Sequence, residues 1–165
     1  MTELKTAEDV ITLLDLQPLP GEGGFFRQTY VRSSTDPDGP PETTAIYYLV
    51  TPDSFSGLHR LGHDELFHFY LGDPCEMVTY IDGEQPEIIV LGQDLGAGMT
   101  VQHLVPAGTW QGTRLRDGGR FALMGTTMTP GFDPRGFELA SPDLLAGVPD
   151  VAAEQLSRFL AHASH

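Results

Sequence analysis

Three histidines, an aspartate and a glutamate fall within GLHRLGHDELFHFYLG, the sixteen residues from Gly57 to Gly72. An imidazole can act as a base near neutral pH or ligate a metal, and a nearby carboxylate can orient it or share the metal. On an extended run over 56–60, His59 takes one side with Phe55 and Gly57, and Leu58 and Arg60 take the other. The glycine leaves room beside the ring. Glu65 opens the next run, where Glu65, Phe67, Phe69 and Leu71 share one side. A carboxylate at the rim of such an aromatic wall is costly unless it is paired or exposed. His68 falls on the opposite side with Leu66 and Tyr70, so a regular strand keeps it out of a pocket built around Glu65. It contacts a ligand only if the pocket lies on that other face. His63 and Asp64 sit in the intervening turn and read as solvated. His103, His162 and His165 have no supporting neighbours and read as structural or solvated.

Further polar and aromatic residues on strand-like segments are candidate ligand contacts: Arg27, Tyr47 or Tyr48, Gln102, Trp110, Gln111 and Arg114. Arg27 could hold a carboxylate or phosphate, or extend its stem along the surface. One of Tyr47 and Tyr48 must face inward by alternation, and the local pattern leaves open which. The glycines of LGQDLGAG, residues 91–98, are followed by neither a lysine nor a long helix, so they read as turn formers rather than a phosphate loop.

The elements that must position these groups are mostly strands. Short β-branched and aromatic runs near 25–31, 43–51, 56–60, 65–71, 75–81, 86–91, 99–105, 110–115 and 121–129 are separated by Gly, Pro and Asp punctuation. Asp73-Pro74, Asp82-Gly83 and Asp117-Gly118-Gly119 suit turns between antiparallel neighbours. No helical period separates the runs, which favours a sandwich or barrel over βαβ units. Thr6 with Asp9 three residues later is a capping signal for a short helix over 7–15, which Pro18 and Pro20 follow. VAAEQLSRFLAHA from Val151 predicts a closing helix whose face of Val151, Leu156, Phe159, Leu160 and Ala163 packs on the barrel or on a neighbouring subunit. STDPDGPPE, residues 34–42, reads as a flexible loop.

A length of 165 residues suits one domain spanning 1–165 with one core. The net charge of −14 repels nucleic-acid backbones and anionic lipid surfaces. Lys5 is the chain's one lysine, so an anionic ligand would have to rely on Arg and backbone N–H groups. The lone Cys75 cannot form an internal disulfide, the N-terminus is too polar for a signal peptide, and no window reaches the roughly 18 apolar residues of a membrane span. The expected location is the cytoplasm.

Two motifs carry a resemblance to the cupin superfamily. Its first motif, G-x5-H-x-H-x3–4-E-x6-G, is similar to the stretch in which His59, Glu65 and Gly72 fall in register and Leu61 stands where the second histidine would be. Its second, P-x-G-x2-H, is similar to Pro106-Ala107-Gly108-Thr109-Trp110-Gln111, with Gln111 at the histidine place. EGGFFRQTY, TAIYYLV, LHRLGHDELFHFYLG, VPAGTWQG and TPGFD resemble the signatures of an uncharacterised cupin subfamily over residues 13 to 139. That subfamily is similar in fold to the deoxysugar-nucleotide 3,5-epimerases, whose strand bearing the base histidine resembles Gly57-Leu58-His59. The epimerases' lysine on the next strand has no counterpart, since Glu65 occupies that region.

The resemblance implies an all-β double-stranded β-helix, the jelly-roll cupin barrel, with short N- and C-terminal helices and a small-molecule pocket inside. Three functions are then expected in turn. In a metal-independent isomerase or epimerase, His59 is the base, a pocket tyrosine returns the proton, and Glu65 or Gln111 positions a sugar-like or other small polar substrate. In a metal-dependent enzyme, His59, Glu65 and Gln111 hold a divalent ion, though an amide is a poor substitute for imidazole toward transition metals. In a binding module there is no chemistry. The exposed edges of a jelly roll and the terminal helices point to a homodimer.

Overall fold

A computed structural model describes residues 6–161. Two antiparallel sheets face one another. Eleven strands build them: β1 (Gln17–Pro18), β2 (Phe25–Arg32), β3 (Thr43–Val50), β4 (Ser56–Arg60), β5 (Glu65–Gly72), β6 (Cys75–Tyr80), β7 (Glu87–Leu91), β8 (Gln102–Val105), β9 (Trp110–Leu115), β10 (Ala122–Met128) and β11 (Glu138–Leu139). The larger sheet runs β1-β2-β3-β10-β5-β8 and the smaller β11-β4-β9-β6-β7. This is the cupin jelly roll. The nine expected strands are all present, and the two-residue β1 and β11 are additions too short to leave an alternation signal.

Alternation along the strands divides the core into layers. Tyr48, Val50, Phe67, Phe69, Met77, Leu91 and Met124 fill the space between the sheets. The intervening residues Leu49 and Leu123 point away from it and, with Phe121, meet Val10 and Leu16 at helix α1 (Ala7–Leu14). Thr6 caps this helix by accepting from Asp9 N–H at 3.1 Å, while Asp9 accepts from Thr6 N–H at 2.9 Å. On the outside of the smaller sheet, Leu58, Val78, Tyr80 and Trp110 pack against Leu156 and Phe159. Those two belong to helix α2 (Asp150–Ser157) and the turn that follows it. The closing helix is therefore shorter than expected, and it packs on this chain's own barrel; His162, Ala163 and His165 lie outside the described residues.

Truncating the fully buried Leu156 to Ala leaves a cavity in the cluster between α2 and the smaller sheet, so we expect a loss of about 2–5 kcal/mol. Urea denaturation followed by circular dichroism measures it.

Candidate functional site

β4 departs from a regular strand where it matters most. Ser56 pairs with Thr113 and His59 with Gln111, so three steps on β4 match two on β9 and one residue is extra. The resulting bulge turns both Ser56 and His59 inward and leaves Leu58 facing α2. The expectation that Gly57 shares the inner side with His59 is thereby corrected. A methyl group at Gly57 would lie 2.7 Å from Cβ of Ala161 and 3.0 Å from the Glu22 carbonyl oxygen, so the glycine makes room for the C-terminal segment and not for a ligand.

His59 is 2% exposed. Its Nδ1 donates to the Gly57 carbonyl at 2.7 Å, its ring stacks on Phe137 with centroids 5.5 Å apart, and Nε2 stands 3.6 Å from Glu22 Oε1. The ring is held on three sides. Glu22 lies in the loop between β1 and β2, a residue that strand patterning passes over. Its carboxylate accepts from Ser56 Oγ at 2.7 Å, and its carbonyl accepts from Gly57 N–H at 2.8 Å. The Tyr48 hydroxyl closes the loop by donating to the Gly23 carbonyl at 2.6 Å. Gly23 and Gly24, at φ +97° and +73°, let the loop lie this close; a Cβ on Gly23 would strike the Phe55 carbonyl and one on Gly24 the Tyr48 hydroxyl.

Glu65 opens β5 facing inward, and Gln111 Nε2 donates to its Oε2 at 2.8 Å. Burial, the largest cause, pushes the Glu65 carboxyl upward, and the charge of Glu22 adds to it; His59, Thr126 and Gln111 pull the other way. Burial also raises Tyr48 well above its ordinary value, again with Glu22 contributing.

These groups surround a cavity of about 220 Å³ between the sheets. Glu22, Tyr48, His59 and Glu65 give it polar walls, while Phe26, Ile46, Leu61, Phe67, Phe132 and Phe137 supply apolar ones. Of Tyr47 and Tyr48 it is Tyr48 that faces the cavity, because α1 covers the Leu49 side of β3.

Several expected contacts lie elsewhere. Tyr47 is on the outer face of the larger sheet under Arg27, whose guanidinium sits 5.5 Å from its ring centroid. His68 is also outside, hydrogen-bonded to Thr127 and Gln102 at 3.2 Å each. The placement of Arg27 and Gln102 at the pocket is therefore corrected; Tyr47 is the outward member of its pair, and His68, a ligand contact only had the pocket lain on the other face, takes the outer side that its parity against Glu65 indicated. Trp110 and Arg114 project from the outer face of β9: Trp110 packs on α2, and Arg114 donates to the Arg158 carbonyl at 2.7 Å and covers the Phe55 ring. Gln111 does reach the site, through Glu65 and not through the cavity surface. Asp64 is engaged in the turn, accepting from Ala107 N–H at 2.8 Å.

With this geometry established, the relatives are informative. The family model described as Cupin superfamily (DUF985) matches residues 8–140. The chain belongs to the DUF985 family of cupins. It is 30% identical over 130 residues to the uncharacterized protein YML079W of Saccharomyces cerevisiae, a match covering 68% of this chain and 64% of the yeast protein. Protein SO0799 from Shewanella oneidensis superposes with a TM-score of 0.87 at 30% identity, covering 97% of this chain and all of that one. A hypothetical protein from Leishmania major gives 0.85 at 26%, covering 96% and 100%. Oxalate decarboxylase from Bacillus subtilis, at 0.56 and 15%, covering 88% of this chain and 37% of that one, shares the fold alone.

Many cupins hold a metal, and the residues of this DUF985 chain do not fit one. Leu61 lines the cavity as a buried aliphatic group, and Gln111 turns its amide NH₂ toward Glu65, leaving a neutral amide oxygen, a far weaker transition-metal donor than imidazole, where the second motif has its histidine. Among the described residues no three His, Cys, Asp or Glu side chains are grouped to hold an ion. We expect elemental analysis after dialysis against a chelator to find transition metal far below one per chain; a stoichiometric ion would contradict this.

The raised Glu65 sets a sign for stability against pH. The folded state keeps the proton to higher pH than the unfolded chain, whose glutamate titrates near 4.5, so folding stability falls as pH climbs from there through the folded value. Glu65→Gln mimics the neutral carboxyl. Its urea midpoint should exceed that of the wild type at neutral pH, and the gap should close below about pH 4.

Proposed function

We propose that the cavity binds a small ring-bearing molecule and that His59 moves a proton on it, in an isomerase-type reaction that uses no metal. The supporting observation is the fixed imidazole. Because Nδ1–H is committed to the Gly57 carbonyl, the neutral ring presents Nε2 as its proton acceptor. Glu22, 3.6 Å from that nitrogen, stabilises the imidazolium that forms.

The reaction class follows from these two contacts. A proton leaves a carbon next to a carbonyl for Nε2, the C–H electron pair forms a carbon–carbon double bond, and the carbonyl π pair moves to oxygen. Return of the proton from Nε2 to the same carbon gives back the substrate. Where that carbon carries a hydroxyl, transfer of the hydroxyl proton to the enolate oxygen lets Nε2 deliver its proton to the former carbonyl carbon instead; the α-oxygen becomes the new carbonyl, which gives the isomer with no net redox change. Tyr48 is a poor proton donor for this cycle, since its hydroxyl serves the Gly23 carbonyl and its acidity is suppressed. The single base therefore works on one face, with Glu65 positioning the substrate. No lysine or arginine is found among the described residues lining the cavity, so a sugar diphosphate would lack cationic partners there.

Solvent exchange tests the reading. In D₂O, a panel of small cyclic carbonyl compounds should include at least one into which the protein introduces deuterium at carbon, detected by mass spectrometry. His59→Asn should slow that exchange by about 10²-fold or more while the far-ultraviolet spectrum stays native. Exchange at equal rates in both proteins would refute the role of His59, and binding without exchange would leave a binding module.

A further inference from the structure

The charge on the cavity walls does not balance. Glu22 and Glu65 both line it, His59 is its one basic group, and no lysine or arginine joins them among the described residues. Even a proton on His59 would offset one carboxylate alone. The other is left in a buried, largely apolar space, where an uncompensated charge is costly, so it must keep a proton or meet a cation from outside. Nearby guanidinium groups are engaged elsewhere: Arg60 binds Glu138 at 2.6 Å and lies over Trp110, and Arg135 is paired with Asp133.

The remaining walls suit the same kind of ligand. Phe26, Phe67, Phe132 and Phe137 border the cavity. Phe132, 40% exposed, meets Phe137 edge-on with centroids 6.5 Å apart. Aromatic faces attract ammonium groups while packing against their carbon substituents. The chain's net charge of −14 raises the local concentration of cations and repels anions.

We propose that the ligand of this cavity is a small organic cation, an amine or ammonium compound, whose charge pairs with Glu22 and Glu65 while its carbon frame packs on the phenylalanines. The proposal rests on the cavity being a small-molecule site and names the substrate class; it holds whether or not His59 transfers a proton. The cation takes the place of the proton that burial favours on Glu65, so binding releases that proton to solvent. Glu22, His59 and Tyr48 are the other titratable groups lining the cavity.

Three probes of matched shape test this on the full chain: cyclohexylammonium, cyclohexanol and cyclohexanecarboxylate, compared by ligand-observed NMR and calorimetry. Cyclohexylammonium should bind about tenfold more tightly than cyclohexanol, with the carboxylate weakest. Calorimetry in buffers of different ionisation enthalpy should show net proton release for the ammonium probe alone. Glu22→Gln should bring the ammonium affinity down to that of cyclohexanol; if this variant misfolds, probe ranking and proton release in the wild type decide. If cyclohexanol or the carboxylate binds as well as the ammonium, the cation assignment is overturned while the small-molecule site stands. If none of the three binds up to its solubility limit, the cation assignment and the reading of the cavity as a binding site both fail.

Discussion

One extra residue in β4 organises the site. Without the bulge between Ser56 and His59, strict alternation over that three-residue interval would put the two side chains on opposite faces, and Glu22 would lose one of its two inner partners. The bulge also frees the Gly57 N–H from the ladder to hold the Glu22 carbonyl, and the Leu58 N–H to hold that of Phe159 at 2.6 Å. One local irregularity therefore fastens the loop that carries Glu22 and the C-terminal segment to the same strand. Buried backbone donors must find partners, and here the partners are the parts that define the cavity.

The layers outside the barrel make the interior dependable. α1 covers part of the larger sheet and α2 the smaller, so side chains next to those on the cavity wall are fixed from behind. Leu49 and Leu58 are fully buried against these helices, and each adjoins a cavity residue, Tyr48 and His59. A helix on the outside thus sets the orientation of a polar group on the inside, because neighbouring side chains on a strand cannot rotate independently of its backbone.

Within the cupin scaffold this chain places a hydrogen-bonding amide at the position of the second motif's histidine. Gln111 opposes His59 across the β4–β9 ladder and reaches Glu65 with its amide, which joins the two sheets by a hydrogen bond across the barrel interior. The exchange leaves carboxylates with too little positive charge around them. On the cation reading, a site of this kind is tuned by burial and by what enters it, and its occupation goes with proton release.

The strand pattern by itself determined an antiparallel sandwich or barrel and the separation of Glu65 and His68 onto opposite faces of β5, because alternation is a local property that needs no partner; the jelly roll followed from the likeness to cupin motifs. The likeness to cupin motifs singled out His59 and Gln111 before any geometry was known. Other features had no local signature. The choice between Tyr47 and Tyr48 depended on which face α1 covers, and the outward turn of Trp110 and Arg114 on where the C-terminal segment docks. Glu22 sits 37 residues before His59 in a loop without periodicity, and the bulge that admits it appears only when β4 is set against β9. Periodicity records which side of its own strand a residue occupies; which loop, helix or bulge meets that side is decided by contacts between segments far apart in the chain.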